Sequence, residues 1–256
     1  MNIYTNEGLV KHAEKALALK TKYMWGGILR EITPQYINLV RSMYGTLSGT
    51  GYTESRYKEL YSLCGKDYYG VDCVGLIKSY YWSGNPNGGT GSPKYGAAGY
   101  PDVNANMMYN RAKTKGRIDT IPEKKGIIVI SRKHGNHVGI YIGDGYTIES
   151  TLGARGDGVV KHKLDKTFWT DWFECPYIEY RKNVKEQLKT VELAFDAAIR
   201  SAPTAKSNKL GVLNAGQKCV VVRGTETKDP ITDYVYIRLG GEQSRWIVVT
   251  AIKGGI

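Results

Sequence analysis

An α+β fold is predicted, with helices first, an antiparallel sheet after them and a small all-β unit at the end. Three observations predict it. Apolar residues recur at helical spacing as far as Lys115. After Gly116 the pattern changes to short β-rich runs. Beyond residue 192 such runs follow one another at barrel-like spacing, separated by turn residues. The 256 residues have room for one medium and one small domain. The expected division is 1–180, a charged linker 181–192 (RKNVKEQLKTVE), and 193–256.

Leu9, Val10, Ala13, Ala16 and Leu17 give the first amphipathic helix. Thr33-Pro34 is a helix-start pair, followed by Tyr36, Ile37, Val40 and Met43 on one face. Tyr57, Leu60, Tyr61 and Cys64 repeat the pattern, and a fourth helix starts at Asp72-Cys73 and runs through Tyr80. Ser83–Pro101 is dense in Gly, Pro, Asn and Ser and reads as a long loop. Val103–Lys115 reads as another helix, with Asp102 as its cap. Gly126–Ser131 and His137–Ile142 read as strands, and Asp144-Gly145 as the hairpin turn leading to Tyr146–Ser150. Val159–Lys163 extends that sheet. The last unit is read as strands near Ala198–Arg200, Leu210–Leu213, Gln217–Arg223, Tyr234–Leu239 and Arg245–Val249.

Composition narrows the function classes. The apolar fraction, 41%, and the charged fraction, 23%, are those of a globular chain. There are 20 Tyr against 3 Phe, a balance that suits amphipathic grooves for polar polymers. The net charge is +12. Residues 181–256 hold 13 Lys and Arg against 7 Asp and Glu, while residues 1–180 hold 23 against 17. The surplus is therefore denser at the C-terminal end, as expected for a polyanionic partner. The 4 cysteines imply no disulfide scaffold. The first 20 residues lack a signal-peptide core, and no stretch approaches a membrane span, so synthesis in the cytoplasm is expected.

Cys73 stands at a helix start, where the helix dipole and free N–H groups favour thiolate and can receive an oxyanion. A buried structural cysteine is the competing reading. His137, opening a strand, can point off the sheet at that helix N-terminus, which makes a thiolate–imidazolium pair available. Glu149 follows 12 residues later, past the hairpin turn, and antiparallel pairing can bring it beside His137. A carboxylate there fixes the imidazole tautomer, the third-member role of a triad.

In that order these residues resemble the NlpC/P60 family of papain-like cell-wall peptidases. The resemblance extends to Tyr23-Met-Trp-Gly-Gly27, Asp72-Cys73-Val-Gly75-Leu76, Lys125–Val129 and His137–Gly143. It implies helices carrying the cysteine, packed on an antiparallel sheet carrying the histidine and third residue. It further implies hydrolysis of amide bonds in peptidoglycan stem peptides, often between D-glutamate and the following diamino acid. It implies a substrate-groove position for Tyr23 and Trp25, and places Asp72 beside the scissile region, with helix capping as the alternative for Asp72. Val74 stands where the family usually has Ser, and Glu149 where His or Asn is more frequent. More than 40 residues separate Gly27 from Asp72, several times the usual gap.

Residues 193–256 resemble bacterial SH3-like (SH3b) barrels, through Ile199-Arg-Ser-Ala-Pro203, Leu210–Leu213, Gly216, Tyr234–Ile237 and Trp246-Ile247. The resemblance implies wall binding, with Tyr234 and Tyr236 as contacts and anionic wall polymer opposite the basic surface. The combined expectation is a modular wall hydrolase of the phage endolysin type, acting on a Gram-positive wall. An amidase or secreted autolysin with the same site is the near alternative, and a non-catalytic wall-binding protein the different class. No cofactor is called for. A zinc site from His134, His137, Cys64 and Cys73 matches no common spacing. Nucleic acid is disfavoured by the few aromatics in the basic unit.

Overall fold

The computed structural model describes residues 4–88, 93–180, 187–240 and 245–255. The chain divides into two compact units, Met1–Lys182 and Asn183–Ile256.

The first unit runs α1 (Asn6–Leu17), β1 (Lys20–Tyr23), β2 (Ile28–Glu31), α2 (Pro34–Tyr44), α3 (Glu54–Ser62), β3 (Tyr68–Val71), α4 (Cys73–Trp82), α5 (Ala105–Arg111), β4 (Lys115–Arg117), β5 (Ile128–Ser131), β6 (His137–Gly143), β7 (Tyr146–Gly153), β8 (Gly156–Lys163) and β9 (Asp171–Phe173). Each early helix starts where a side chain can take an orphan amide. Thr5, Thr33, Thr53 and Asp72 accept from the backbone three residues on, and Pro34 fills the first position of α2. The cap of α5 corrects the sequence reading. Asn104 accepts from Met107 N at 2.9 Å, whereas Asp102 pairs with Lys78 at 2.5 Å. Asn104 stands immediately before the helix, the one place from which a side chain reaches the third amide.

Strands β4-β9-β5-β6-β7-β8 form an open six-stranded sheet, antiparallel throughout. The β6–β7 turn has Asp144 at φ 54° and Gly145 at φ 73°, as a two-residue hairpin of primed type requires. Both faces of the sheet are covered, which is why β5 is buried at every position. Ile128 and Ile130 join Val138, Ile140 and Ile148 in the core against α1 and α4. Ile127 and Val129 turn to the opposite core with Tyr141, Trp169 and Trp172.

The long interval between Gly27 and Asp72 holds β2, α2, α3 and β3. β1, β3 and β2 make a small sheet in which β1 and β3 run parallel. Met24, Ile32, Tyr36, Ile37, Val40, Tyr52, Tyr57 and Leu60 form a separate core beneath it.

The second unit is all β: β10 (Gln187–Glu192), β11 (Ala197–Arg200), β12 (Lys209–Leu213), β13 (Lys218–Lys228), β14 (Val235–Leu239) and β15 (Trp246–Val248). Two expectations change here. The part of the expected linker over Gln187–Glu192 is a strand paired with β13, because Val191 belongs to the unit's core; residues 181–186 lie outside the described residues. The expected barrel is an open order, β10-β13-β14-β15-β11-β12, with β10 and β12 at its edges among the described residues.

Candidate functional site

Cys73 is the first residue of α4, and Asp72 is its N-cap in extended backbone, φ −99° and ψ 178°. Asp72 Oδ1 accepts from Gly75 N at 2.5 Å and Oδ2 from Gly26 N at 2.7 Å. Both oxygens are thus committed to backbone amides, and Asp72 ties the loop after β1 to the start of α4. Burial raises its pKa above the usual carboxylate value, against the pull of Lys78 and of the amides. The glycines of the two motifs serve the same close approach. A Cβ on Gly75 would lie 1.7 Å from Gly27 O, and Gly26 holds φ +75°. Val74 is 8% exposed and packs into the α1/α4 core, so it contributes packing and not open groove surface.

His137 opens β6. Its Nε2 lies 2.5 Å from Glu149 Oε2, and its ring stacks on Trp169 at 5.6 Å with a 16° interplanar angle. With Nε2 taken, Nδ1 is the ring nitrogen left to face Cys73, which lies near enough to raise the His137 pKa. Burial alone would lower the His137 pKa. The hydrogen bonds and charges of Cys73 and Glu149 outweigh it and bring the value up to about 9. Ser150 Oγ donates to Val71 O at 2.8 Å, which fastens β7 to the backbone just before Asp72.

Glu149 is fully buried, at 0% exposure. Its second oxygen, Oε1, accepts from Arg155 Nη2 at 2.5 Å and Nε at 3.2 Å. Burial would raise its pKa, but His137 and Arg155 together hold it below the usual value. Gly139 makes the space. A Cβ there would meet Trp169 at 3.0 Å and the Glu149 Cβ at 3.3 Å.

Tyr23 is 9% exposed and forms a buried wall. Burial first, then the charges of Cys73 and Asp72, push its phenol far above the ordinary pKa. Its backbone is clamped from both sides: Tyr23 N donates to Asp157 Oδ1 at 3.0 Å, and Tyr23 O accepts from Arg56 Nη2 at 2.7 Å. Arg56 and Lys22 also bind Asp157, at 2.6 Å and 2.8 Å. Trp25 is 40% exposed, and its carbonyl accepts from Tyr52 Oη at 2.9 Å. Tyr95 Oη donates to Gly26 O. The insertion and the loop after Ser83 therefore both close on the backbone of residues 23–27. A cavity of about 580 Å³ lies between β2, Tyr69 and residues 93–95. Its lining contains neither Cys73 nor His137.

The structure thus pairs His137 with Glu149, and Cys73 lies near enough to both His137 and Tyr23 to raise their pKa values. Of the two tyrosines expected to meet the wall, Tyr234 is 53% exposed, while Tyr236 is 4% exposed. Tyr236 pairs with both Thr227 and Val248 in the middle of the sheet, where burial raises its pKa. Sequence reasoning missed Arg155, Trp169, Arg56 and Asp157. A glycine two positions after His137 inside a strand was a readable sign of a close approach there. Arg155, in the turn between β7 and β8, carried no such sign. Among the described residues no cluster of three or more His, Cys, Asp or Glu is placed to hold a metal. No described helix is long and apolar enough to cross a membrane.

Residues 58–177, within the first unit, match the model of the NlpC/P60 family. The match begins after Tyr23–Gly27 and inside α3. No curated protein matches the chain significantly. Among solved structures, the chain is similar to a hypothetical invasion protein of Mycobacterium tuberculosis, at 21% identity and TM-score 0.36 over 68% of this chain and 62% of that one. It is similar to the peptidoglycan hydrolase RipB of Mycobacterium tuberculosis, at 19% identity and TM-score 0.35 over 68% and 65%. It is also similar to the P60 domain of an antigen of M. avium subspecies paratuberculosis, at 17% identity and TM-score 0.35 over 68% and 98%. The chain thus spans under two thirds of the length of the first two.

Proposed function

We propose that this protein is a cysteine peptidase of peptidoglycan stem peptides, with Cys73 as nucleophile, His137 as acid and base, and Glu149 as the group that orients His137. One observation supports the reading: an imidazole bound to a fully buried carboxylate has its pKa raised by a cysteine at a helix N-terminus. The NlpC/P60 match over 58–177 supports the substrate class.

The mechanism follows from the charges. Thiolate and imidazolium form the resting pair. Cys73 Sγ attacks the carbonyl carbon of the peptide bond, and its electrons move onto the carbonyl oxygen. The first turn of α4 faces that oxyanion with its amide dipoles. His137 gives its Nδ1 proton to the leaving amine as the C–N bond breaks, leaving a thioester and neutral imidazole. The imidazole then takes a proton from water, the hydroxide attacks the thioester, and the C–S bond breaks to re-form thiolate beside imidazolium; the carboxylic acid product leaves and gives its proton to solvent. Glu149 keeps Nε2 protonated throughout, which leaves Nδ1 to carry the mobile proton.

The bond between D-glutamate and the diamino acid is the proposed target. The second unit is proposed as an SH3-like wall-binding module, with its positive surplus and exposed Tyr234 toward anionic wall polymer. Release of phage from a Gram-positive host, as an endolysin made in the cytoplasm, is the proposed setting. Purified wall incubated with wild type, Cys73→Ala and His137→Ala tests the activity. Wild type should clear the wall and release peptides with new D-glutamate carboxyl termini, read by mass spectrometry of muropeptides. Clearing by both variants would remove the mechanism, and new N-acetylmuramic acid ends would make the enzyme an amidase.

A further inference from the structure

We infer that Arg155 is a positioning residue for the reaction: its guanidinium occupies one oxygen of buried Glu149 and so moderates the pull of the other oxygen on the proton of His137. The inference rests on the proposed Cys73–His137 chemistry and deepens it.

The geometry has one carboxylate and two cations, each on its own oxygen. Glu149 Oε2 faces His137 Nε2, while Oε1 receives both Nη2 and Nε of Arg155. Arg155 is itself held in place. Its guanidinium lies over Phe168 at 4.1 Å and 5.9 Å from the Trp169 ring centroid, and its carbonyl is 3.0 Å from His162 Nε2. The aromatic pair that holds Arg155 also meets His137, whose ring lies 6.0 Å from Phe168 and 5.6 Å from Trp169. An uncompensated carboxylate in an unexposed position acts at low dielectric, so its pull on the imidazolium proton is large. Arg155 offsets part of that charge and leaves the hydrogen bond.

The balance matters most after acylation. Once Cys73 is a thioester it carries no charge, and Glu149 alone favours imidazolium. Deacylation needs the opposite, a neutral Nδ1 that accepts a proton from water while the hydroxide attacks the thioester carbon. Without Arg155 the imidazole would stay protonated and the acyl-enzyme would accumulate. The other titratable and charged groups around this pair are Cys73, Asp72 and Tyr23 on the α4 side, His134 on the β5–β6 turn and His162 on β8. Asp165 also feels Arg155. None of them reaches Glu149 Oε1 by a hydrogen bond among the described residues.

The test compares wild type, Arg155→Gln, Arg155→Lys, Glu149→Gln and the double variant Glu149→Gln/Arg155→Gln. Alkylation of Cys73 by iodoacetamide is followed against pH on the Cys73-bearing peptide by mass spectrometry, so that Cys64 and Cys219 do not contribute. Hydrolysis of wall peptide is followed over the same range, with intact mass reporting acyl-enzyme. Arg155→Gln should move the basic limb of both profiles upward by roughly one unit, with acyl-enzyme visible in the steady state. Arg155→Lys, which keeps the charge, should restore most of the wild-type profile. If Arg155→Gln does not fold, the pair of Glu149→Gln and the double variant reads the same effect. Removing the guanidinium from the Glu149→Gln background should again raise the basic limb. An unmoved or lowered limb in these comparisons, or a Lys variant as shifted as Gln, would overturn the inference. The two readings fail separately. Hydrolysis surviving in Cys73→Ala would end the nucleophile assignment, whereas an unshifted Arg155→Gln beside an inactive Cys73→Ala would end this inference alone.

Discussion

His137 Nε2 and Glu149 Oε2 lie 2.5 Å apart on neighbouring strands, and the residue between them in the pairing, Gly139, has no side chain to part them. The register pairs Ile140 with Ile148, so Gly139 falls opposite Glu149 and His137 reaches it diagonally from the strand end. The proposed chemistry depends on that diagonal, and four tests bear on it and on what holds it in place.

Removing Glu149's charge should lower the proton affinity of His137. In the wild type Cys73 and Glu149 lift His137 to about 9 against the cost of burial. Glu149→Gln keeps an acceptor but loses the anion, and it leaves Arg155 unpaired. The basic limb of hydrolysis against pH should move down by roughly one to two units. A limb that stays in place would show that Glu149 does not set the proton affinity of His137.

The same shift has a stability consequence. A histidine whose folded pKa is raised contributes stability that is complete below its unfolded pKa, about 6.5. The contribution is lost as pH rises through about 9. Thermal unfolding of wild type and His137→Asn, compared across this window, should show the wild-type advantage shrinking with rising pH. An advantage that grows instead would contradict the charge assignment.

Gly139→Ala should damage the site without unfolding the domain. The added Cβ meets the Trp169 ring at 3.0 Å and Glu149 at 3.3 Å, so the ring behind His137 must shift by a few tenths of an ångström. Overpacking of this kind costs about 1–3 kcal/mol. Because His137 stacks on that ring, kcat should fall by roughly 10-fold or more while the circular dichroism spectrum is kept. Unchanged kcat would mean that Trp169 does not set the histidine's placement.

The clamp on Tyr23 is testable through Asp157. Burial would raise its pKa, but Arg56 and Lys22 with the Tyr23 amide hold it at about 2. Its contribution to stability is therefore present above the ordinary Asp pKa and lost as pH falls toward 2. Asp157→Asn leaves Arg56 half-paired in a mostly buried place and should cost about 2–3 kcal/mol, a figure reduced for the partial exposure of Asp157. Activity should fall with it, through Tyr23, even below the melting temperature. Denaturant unfolding and hydrolysis at fixed temperature separate the two effects.

Much of the first unit was legible in the sequence because its signals are local. Thr33-Pro34 marks a helix start by dihedral preference and a free amide, and Asp144-Gly145 marks a tight turn by tolerance of positive φ. The His137–Glu149 pair was legible for the same kind of reason, because a strand start and a tight hairpin fix the relative places of the two residues. The cap of α5 is Asn104 rather than Asp102 because the helix begins at Ala105, two residues later than the sequence suggests, and Asp102 pairs with Lys78 instead. The six residues Gln187–Glu192 look polar enough for a linker, yet strand β13 gives their backbone a partner.

By itself, then, the sequence determined the order of elements, the thiol at the start of α4 and the histidine–carboxylate pair across one hairpin. Tertiary structure alone decided that Tyr236 is covered and Tyr234 exposed. It also decided that the insertion grips Tyr23 through Arg56 and Asp157, and that Arg155 neutralises the far side of Glu149. The physical reason is range. Capping, turn preference and alternation act over a few residues, whereas burial and charge pairing depend on which distant segments pack together, and Arg56 and Asp157 are 101 residues apart in the chain.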